Sequence, residues 1–286
     1  MKIGVCFSLF NNSYSRWGED RYKKVKEHGF SCIDFAMTDT STVIYTLPVE
    51  EADKFIKNER RLVEEAGLEV SQVHGPWGPD AWEVSEEKRP RLMEKMKRSI
   101  RETAMLGCKN WVVHPLVMPN GWEDRGTELE KLTWDTNIAF MKELLQTAKE
   151  YDVTICLENL PCQGVSLAKP EETLKFIKAI NDDHFKMCLD TGHANVYGLS
   201  LRDTVLSVKD ELRVLHVHDN EEGYDLHLFP GFGTIDWDEF AKALKEIDFQ
   251  GVFSIEVHVK SKYPDDIFEE LSKTLAKIGK MIMKER

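Results

Sequence analysis

Val153–Leu160 reads VTICLENL, an apolar run of strand-forming residues that closes on a carboxylate. On a strand, side chains two apart share a face. Cys156 and Glu158 therefore point one way, and Ile155 and Leu157 the other. The same arrangement returns in EVSQVHG (69–75), NWVVHPL (110–116), FKMCLDTG (185–192), RVLHVHDN (213–220) and GVFSIEVH (251–258). These runs give the pairs Gln72/His74, Val112/His114, Cys188/Asp190, Val214/His216 and Ser254/Glu256. With KIGVCFSLF (2–10) and CIDFAM (32–37), the strand candidates number eight.

Helical patterns lie between them over Pro48–Ala66, Glu86–Leu106, Leu129–Tyr151, Pro170–Ile180 and Trp237–Ile247, with a last one near Asp266–Lys284. In EEAGLEV and ETAMLGCKN a glycine follows the helix just before the next strand, which is where a left-handed helix end falls. Eight strand–helix units in 286 residues predict an α/β fold, a closed, parallel, eight-stranded (β/α)8 TIM barrel forming one domain over residues 1–286. A doubly wound sheet would want a glycine-rich phosphate turn after the first strand, and SLFNNSYSRWG (8–18) supplies none.

Six strands thus raise an imidazole or carboxylate at their C-terminal end above a smaller or less charged residue, inside the barrel mouth where this fold keeps its active sites. Ile155, Leu157, Leu189, Leu215, Val217, Ile255 and Val257 face the helix ring instead. Glu158, Asp190 and Glu256 crowd three negative charges together, no strand end offers Lys or Arg, and close carboxylates do not all stay ionised without a cation. A divalent metal with His216 as its nitrogen ligand resolves the conflict, and mixed imidazole and carboxylate donors suit Zn, Mn, Co or Fe(II). His218 and His258 share the inward parity farther up the mouth and are expected to touch the ligands or the substrate. His28 and His184 sit in polar segments and are expected to face solvent. GPWGPDAW (75–82) offers Trp77 and Trp82 as pocket walls, while Trp17, Trp122 and Trp134 are expected mainly to pack.

The net charge of −12 argues against a general polyanion-binding surface, so no nucleic-acid partner is expected. The N-terminus MKIGVCFSLF enters a strand directly, and no run of eighteen apolar residues occurs, so the chain reads as cytoplasmic without a membrane segment. Six cysteines lack any CxxC pairing and read as buried free thiols. A homo-oligomer is compatible with all of this.

The strand ends resemble the xylose-isomerase-like TIM barrel superfamily, which includes sugar phosphate isomerases and epimerases, inosose dehydratases and endonuclease IV of AP endonuclease family 2. CLENLP is similar to its strand-five glutamate motif, CLDTGHAN to its strand-six Asp-x-x-His motif, LHVHDN to its strand-seven histidine and SIEVH to its strand-eight glutamate. DLHLFPGFGTIDW resembles its Asp-x-His and Gly-x-Gly-x-Ile-x-Trp segment. The resemblance implies that Glu158, Asp190, His216 and Glu256 hold one divalent metal (Mn, Zn or Co), and that His193 contacts substrate or a second metal. Two departures stand out: Phe232 occupies a position where glutamate is common, and HDNEEGYD lacks the arginine typical of ketose 3-epimerases.

The leading expectation is a metal-dependent sugar or sugar phosphate isomerase/epimerase, with a small-molecule sugar as its partner. Glu158 and Glu256 act as the catalytic pair that moves a proton at a carbon next to a carbonyl. His74, His114, His193, Asp225 and His227 then serve as substrate or second-metal groups. The alternatives are a polyol or inosose dehydratase, and an endonuclease IV-like phosphodiesterase, whose zinc-binding histidines and carboxylates all have counterparts here by resemblance.

Overall fold

The computed structural model describes residues 1–10, 16–38, 43–77, 85–119, 121–259 and 263–284. Its strands are β1 (Ile3–Cys6), β2 (Cys32–Ala36), β3 (Glu69–His74), β4 (Asn110–Val113), β5 (Thr154–Glu158), β6 (Phe185–Asp190), β7 (Leu212–His216) and β8 (Phe253–Ile255). Neighbours in sequence are neighbours in the sheet, and β8 returns beside β1. The last seam, between β7 and β8, is closed by a parallel bridge from Val217 to Ile255. Across it the Val217 N–H donates to Ser254 O at 2.8 Å and the Glu256 N–H to Val217 O at 2.9 Å. The sheet is therefore a closed barrel, with no unpaired edge strand.

A helix follows each strand: α1 (Arg21–His28), α2 (Val49–Glu65), α3 (Arg89–Met105), α4 (Leu129–Glu150), α5 (Pro170–Ile180), α6 (Leu201–Val208), α7 (Trp237–Glu246) and α8 (Asp265–Lys284). Six of these match the expected segments closely. The two not foreseen, α1 and α6, are eight residues each and span barely two turns, too short for a firm helical period. None of the described helices is long and apolar enough to cross a membrane.

Alternation along the strands sorts the side chains as expected. Ile155, Leu157, Leu189, Leu215, Val217, Ile255 and Val257 are buried in the layer between strands and helices. Each contributes about 1.5–3 kcal/mol by leaving water. Val112, Cys156, Cys188 and Val214 form a separate small cluster inside the barrel, and this plug is the platform beneath the site. None of the six cysteines is in a disulfide, and only Cys162 is not buried.

Two bulges organise the opposite end. Ser71 and Arg213 are the extra residues where the β2–β3 and β6–β7 registers shift. Asn110 joins them: its Nδ2 donates to Ser71 O at 2.8 Å, and its Oδ1 accepts from Arg213 Nε at 2.8 Å.

The histidine expected to face solvent at position 28 does not. His28 is 4% exposed, with its Nδ1 2.9 Å from Ser272 Oγ on α8 and Trp17 edge-on at 5.7 Å between ring centroids. Lys26 and Glu27 beside it in sequence face out, while His28 lies on the buried side of α1 and meets α8. His184 is half-buried, with its Nδ1 3.0 Å from Val153 O.

Candidate active site at the barrel mouth

His74, Glu158, Asp190 and His216 end their strands, and His114 and Glu256 stand one residue past β4 and β8. All six converge. Glu158 is the hub, and each of its oxygens serves a different set of rings. Oε1 lies 2.8 Å from His216 Nδ1 and 3.7 Å from His193 Nδ1. Oε2 lies 3.1 Å from His114 Nε2 and 3.4 Å from His74 Nε2. Glu256 Oε2 is 3.1 Å from His216 Nδ1. Asp190 Oδ1 is 3.0 Å from His218 Nε2 and accepts the His193 backbone N–H at 2.7 Å, which also caps the short helix Thr191–Asn195.

Above this floor, Asp225 stands between histidines from three segments. Its carboxylate oxygens lie 3.7 Å from His193 Nε2, 3.5 Å from His227 Nε2 and 4.0 Å from His218 Nε2. His227 stacks on His218 at 3.9 Å and on His258 at 4.2 Å.

Protonation follows from this crowding. Burial works to neutralise Glu158, but His216 and His114 hold it well below the usual carboxylate range. Asp190 is likewise lowered against burial by His193 and His218, and Glu256 by His216 and His227. Burial opposes charge on the rings too, yet Asp190 and Asp225 bring His193 up to about 10, and Asp225 and Glu256 bring His227 up to about 9. The imidazoles thus supply the positive charge that the strand-end pattern assigned to a metal alone. The three carboxylates stay ionised, ready to bind a cation that displaces those protons.

The donor set fits a metal on a second ground. A ligating imidazole needs its far nitrogen protonated and held by an acceptor. His216 Nε2 meets Asp34 Oδ2 at 2.8 Å, His193 Nδ1 meets Asn159 O at 2.8 Å, His227 Nδ1 meets Glu256 O at 3.1 Å, and His74 Nδ1 meets Gly75 O at 3.0 Å. The three carbonyls only accept, so on His193, His227 and His74 the far nitrogen carries the hydrogen and the near nitrogen is left for the site. Four overlapping groups among the described residues have their ligand atoms close enough to share an ion: Glu158, Asp190, His216 and Glu256; Glu158, Cys188 and His216; His193, His218, Asp225 and His227; and His74, His114 and Glu158.

A cavity of about 390 Å³ opens onto these groups. Its far wall is apolar, built from Trp77, Val117, Trp122, Leu160 and Cys162. Trp77 is a wall as expected, and Trp122 is a second one. Trp17 packs on Phe268 and Trp134 on Phe176; Trp82 lies outside the described residues. Phe232, 71% exposed, is not among the residues that line the cavity. A larger depression of about 1350 Å³ occupies the opposite end, around Lys2, Glu69, Asn110 and Arg213, and holds none of the imidazole–carboxylate groups.

Asp34 and Gln72 are the contributors that the strand-end rule passed over. Asp34 is fully buried on β2, one layer below the mouth. The usable signal was a carboxylate inside the apolar run CIDFAM, on the face of Cys32 and Ala36. Asp219 organises the β7–α7 loop: it accepts from the Asn220, Gly231 and Ile235 backbones and from Trp237 Nε1, at 3.0, 2.8, 3.2 and 2.8 Å.

A closed parallel barrel that pools carboxylates and imidazoles at its C-terminal mouth belongs to the class of (β/α)8 barrels, and it holds those groups where that class keeps its active sites. Within that class, residues 22–278 match the family described as xylose isomerase-like TIM barrel, and the chain belongs to that family. It is similar to the D-psicose 3-epimerase of Enterocloster bolteae, 34% identical over 271 residues that cover 91% of this chain and 83% of that protein. It is also similar to the probable endonuclease 4 of Acholeplasma laidlawii, 26% identical over 226 residues that cover 73% of this chain and 72% of that one. The solved structure of a D-tagatose 3-epimerase-like protein matches with a TM-score of 0.76 at 27% identity, covering 100% of this chain and 99% of the other.

Proposed function

We propose that the protein is a metal-dependent isomerase or epimerase of a monosaccharide or its phosphate, with Glu158 and Glu256 as the proton-transfer pair. The observation that carries this reading is the convergence of those two carboxylates on one imidazole nitrogen at the cavity floor, 2.8 and 3.1 Å from His216 Nδ1. They arrive from β5 and β8, well apart around the barrel, and so approach a bound carbon from different sides. The printed name of the Enterocloster bolteae relative supports the same substrate class.

Glu158, Asp190, His216 and Glu256 would hold the cation, which supplies Lewis-acid stabilisation of the negative charge that develops when a proton leaves the carbon beside a carbonyl. One glutamate removes that proton and the other returns it. His74, His114 and His193 are placed to hydrogen-bond hydroxyls, and the Trp77 and Trp122 wall keeps water from the reacting carbon.

Incubation with ketoses, aldoses, inososes and their phosphates in deuterated buffer, followed by NMR, tests the reading. At least one sugar is expected to exchange a carbon-bound proton. Glu158→Gln or Glu256→Gln is expected to cut turnover by about 10²–10⁴-fold, the usual contribution of a positioned base, with the circular dichroism spectrum unchanged. The opposite result is no exchange in any sugar.

A second reading, a metal-dependent phosphodiesterase, is favoured by one observation: four donor groups lie side by side, three of them sharing Glu158. Efficient incision of an abasic-site duplex, with about three tightly bound zinc ions per chain, would establish it in place of the first.

A further inference from the structure

We propose that Asp34 is a positioning residue for the metal centre, holding the His216 ring with Nε2 protonated and Nδ1 turned to the cation. The inference rests on the metal reading above and concerns residues that lie outside the cavity and touch no substrate.

His216 is fully buried and has a carboxylate on both edges. Nδ1 faces Glu158 at 2.8 Å and Glu256 at 3.1 Å, and Nε2 faces Asp34 Oδ2 at 2.8 Å. Only one ring nitrogen can give its lone pair to a cation, and the partner of the other decides which. A carboxyl oxygen fixed 2.8 Å from Nε2 holds that edge of the ring and leaves Nδ1 turned to Glu158 and Glu256, where the cation would sit. With a weaker acceptor at that edge, Glu158 and Glu256 would compete to keep the hydrogen on Nδ1, the nitrogen needed for coordination.

Asp34 is itself aimed. Gln72 Nε2 donates to Asp34 Oδ2 at 3.1 Å and to Leu215 O at 3.2 Å. That amide therefore ties the β2 carboxylate to the β7 backbone one residue before the ring it serves. Nothing about packing calls for the pair: Asp34 Oδ1 and Gln72 Oε1, both buried, have no hydrogen-bond partner among the described residues. Two apolar side chains would fill the same interior without orphaned oxygens, and a buried polar pair kept at such a cost points to a task.

The test uses the full-length protein stripped of metal and titrated with Co²⁺, following the visible absorption of the bound ion, with the thermal midpoint measured before metal is added. Asp34→Asn keeps the shape and one acceptor oxygen but replaces the carboxyl by an amide. It is expected to weaken Co²⁺ binding by about 10–100-fold, the usual effect of losing such a partner, with a shifted absorption band and a metal-free midpoint close to the parent's. Gln72→Met, which frees the carboxyl without replacing it, is expected to weaken binding several-fold. Ser254→Ala, at a buried interior side chain whose hydroxyl has no hydrogen-bond partner among the described residues, is expected to bind like the parent.

Co²⁺ binding by Asp34→Asn within twofold of the parent overturns the inference while leaving the metal reading intact. If Asp34→Asn does not fold, Gln72→Met decides, and parent-like binding there overturns it equally. A parent that binds no Co²⁺ removes the metal reading and this inference together.

Discussion

His227 carries its ring from a backbone at φ +48°, a left-handed conformation that costs a residue with a Cβ roughly 1–2 kcal/mol. The conformation is held because the ring is anchored three ways, by Glu256 O at Nδ1 and by stacking on His218 and His258. Its Nε2 then faces Asp225 at the cavity, 3.5 Å away. A sugar hydroxyl placed there would gain one charge-assisted hydrogen bond, so His227→Ala is expected to raise KM by roughly ten- to a hundredfold and leave the metal content of the purified protein unchanged. Loss of one tightly held zinc ion out of three in that variant would instead assign the ring to a metal. His28 gives a pH prediction away from the site. Burial pushes its pKa down to about 4, and the charges around it, Glu269 and Glu27 against Lys273 and Lys24, do not restore it. Below pH 6.5 the unfolded chain takes up a proton that the folded one refuses, so stability is full above that value and falls as pH drops towards 4. One pKa unit is worth about 1.4 kcal/mol; discounted for partial solvent screening, His28→Gln is expected to reduce the loss between pH 6.5 and 5 by about 1 kcal/mol. Urea unfolding at both pH values measures it, and equal losses in parent and variant would contradict it.

At the scale of elements, the β7–α7 loop brings Asp225 and His227 over the mouth, and Asp219 is what folds it. A Cβ on Gly233 would sit 2.2 Å from Asn220 O and 2.4 Å from Asp219 Oδ1, so the close approach needs glycine there. Asp219→Ala strands several donors at once, including the Gly231 backbone and the Trp237 indole. The expected cost is about 3 kcal/mol, since a buried donor left unmade costs about 1–3 kcal/mol, with new protease cleavage between residues 221 and 232. A variant as stable and as protease-resistant as the parent would show that the loop is held by something else. The strands were legible before the structure because period-two alternation with a polar end repeats in six of them, and Glu158, Asp190, His216 and Glu256 landed together for that reason. The loop was less legible: no periodicity places Asp225 against His193, and only Asp219 and the glycine turn do so. Asp34 escaped because attention to strand ends stops one layer above it. His28 was misread because neighbours in sequence do not report which side of a short helix meets α8.

Over the whole molecule, the barrel gathers its donors from β5, β6, β7 and β8, segments separated by up to about a hundred residues of chain, onto one point inside a protein of net charge −12. Closure makes this a shared constraint. Among the described residues the β7–β8 seam is closed by one bridge, Val217 to Ile255, flanked by His216 and Glu256, which meet at 3.1 Å. In the absence of a cation, that meeting depends on a proton on His216, whose ring burial would neutralise and which Cys188, Glu158 and Glu256 pull well above the ordinary imidazole range. A divalent ion would replace this proton and tie the seam to β5 and β6, and a ligand that binds only the folded state stabilises it by mass action. We therefore expect one tightly held Mn, Zn or Co per chain by elemental analysis, with any second ion weaker. Chelation is expected to lower the thermal midpoint. At a free-ion concentration a hundred times the dissociation constant the effect is about 2.7 kcal/mol, or roughly 5–10 °C for a domain of this size. Re-addition of the ion should restore the midpoint and sugar turnover together. A midpoint indifferent to exhaustive chelation, with full turnover in protein shown to be metal-free, would mean that the imidazolium–carboxylate network is the working form of the site.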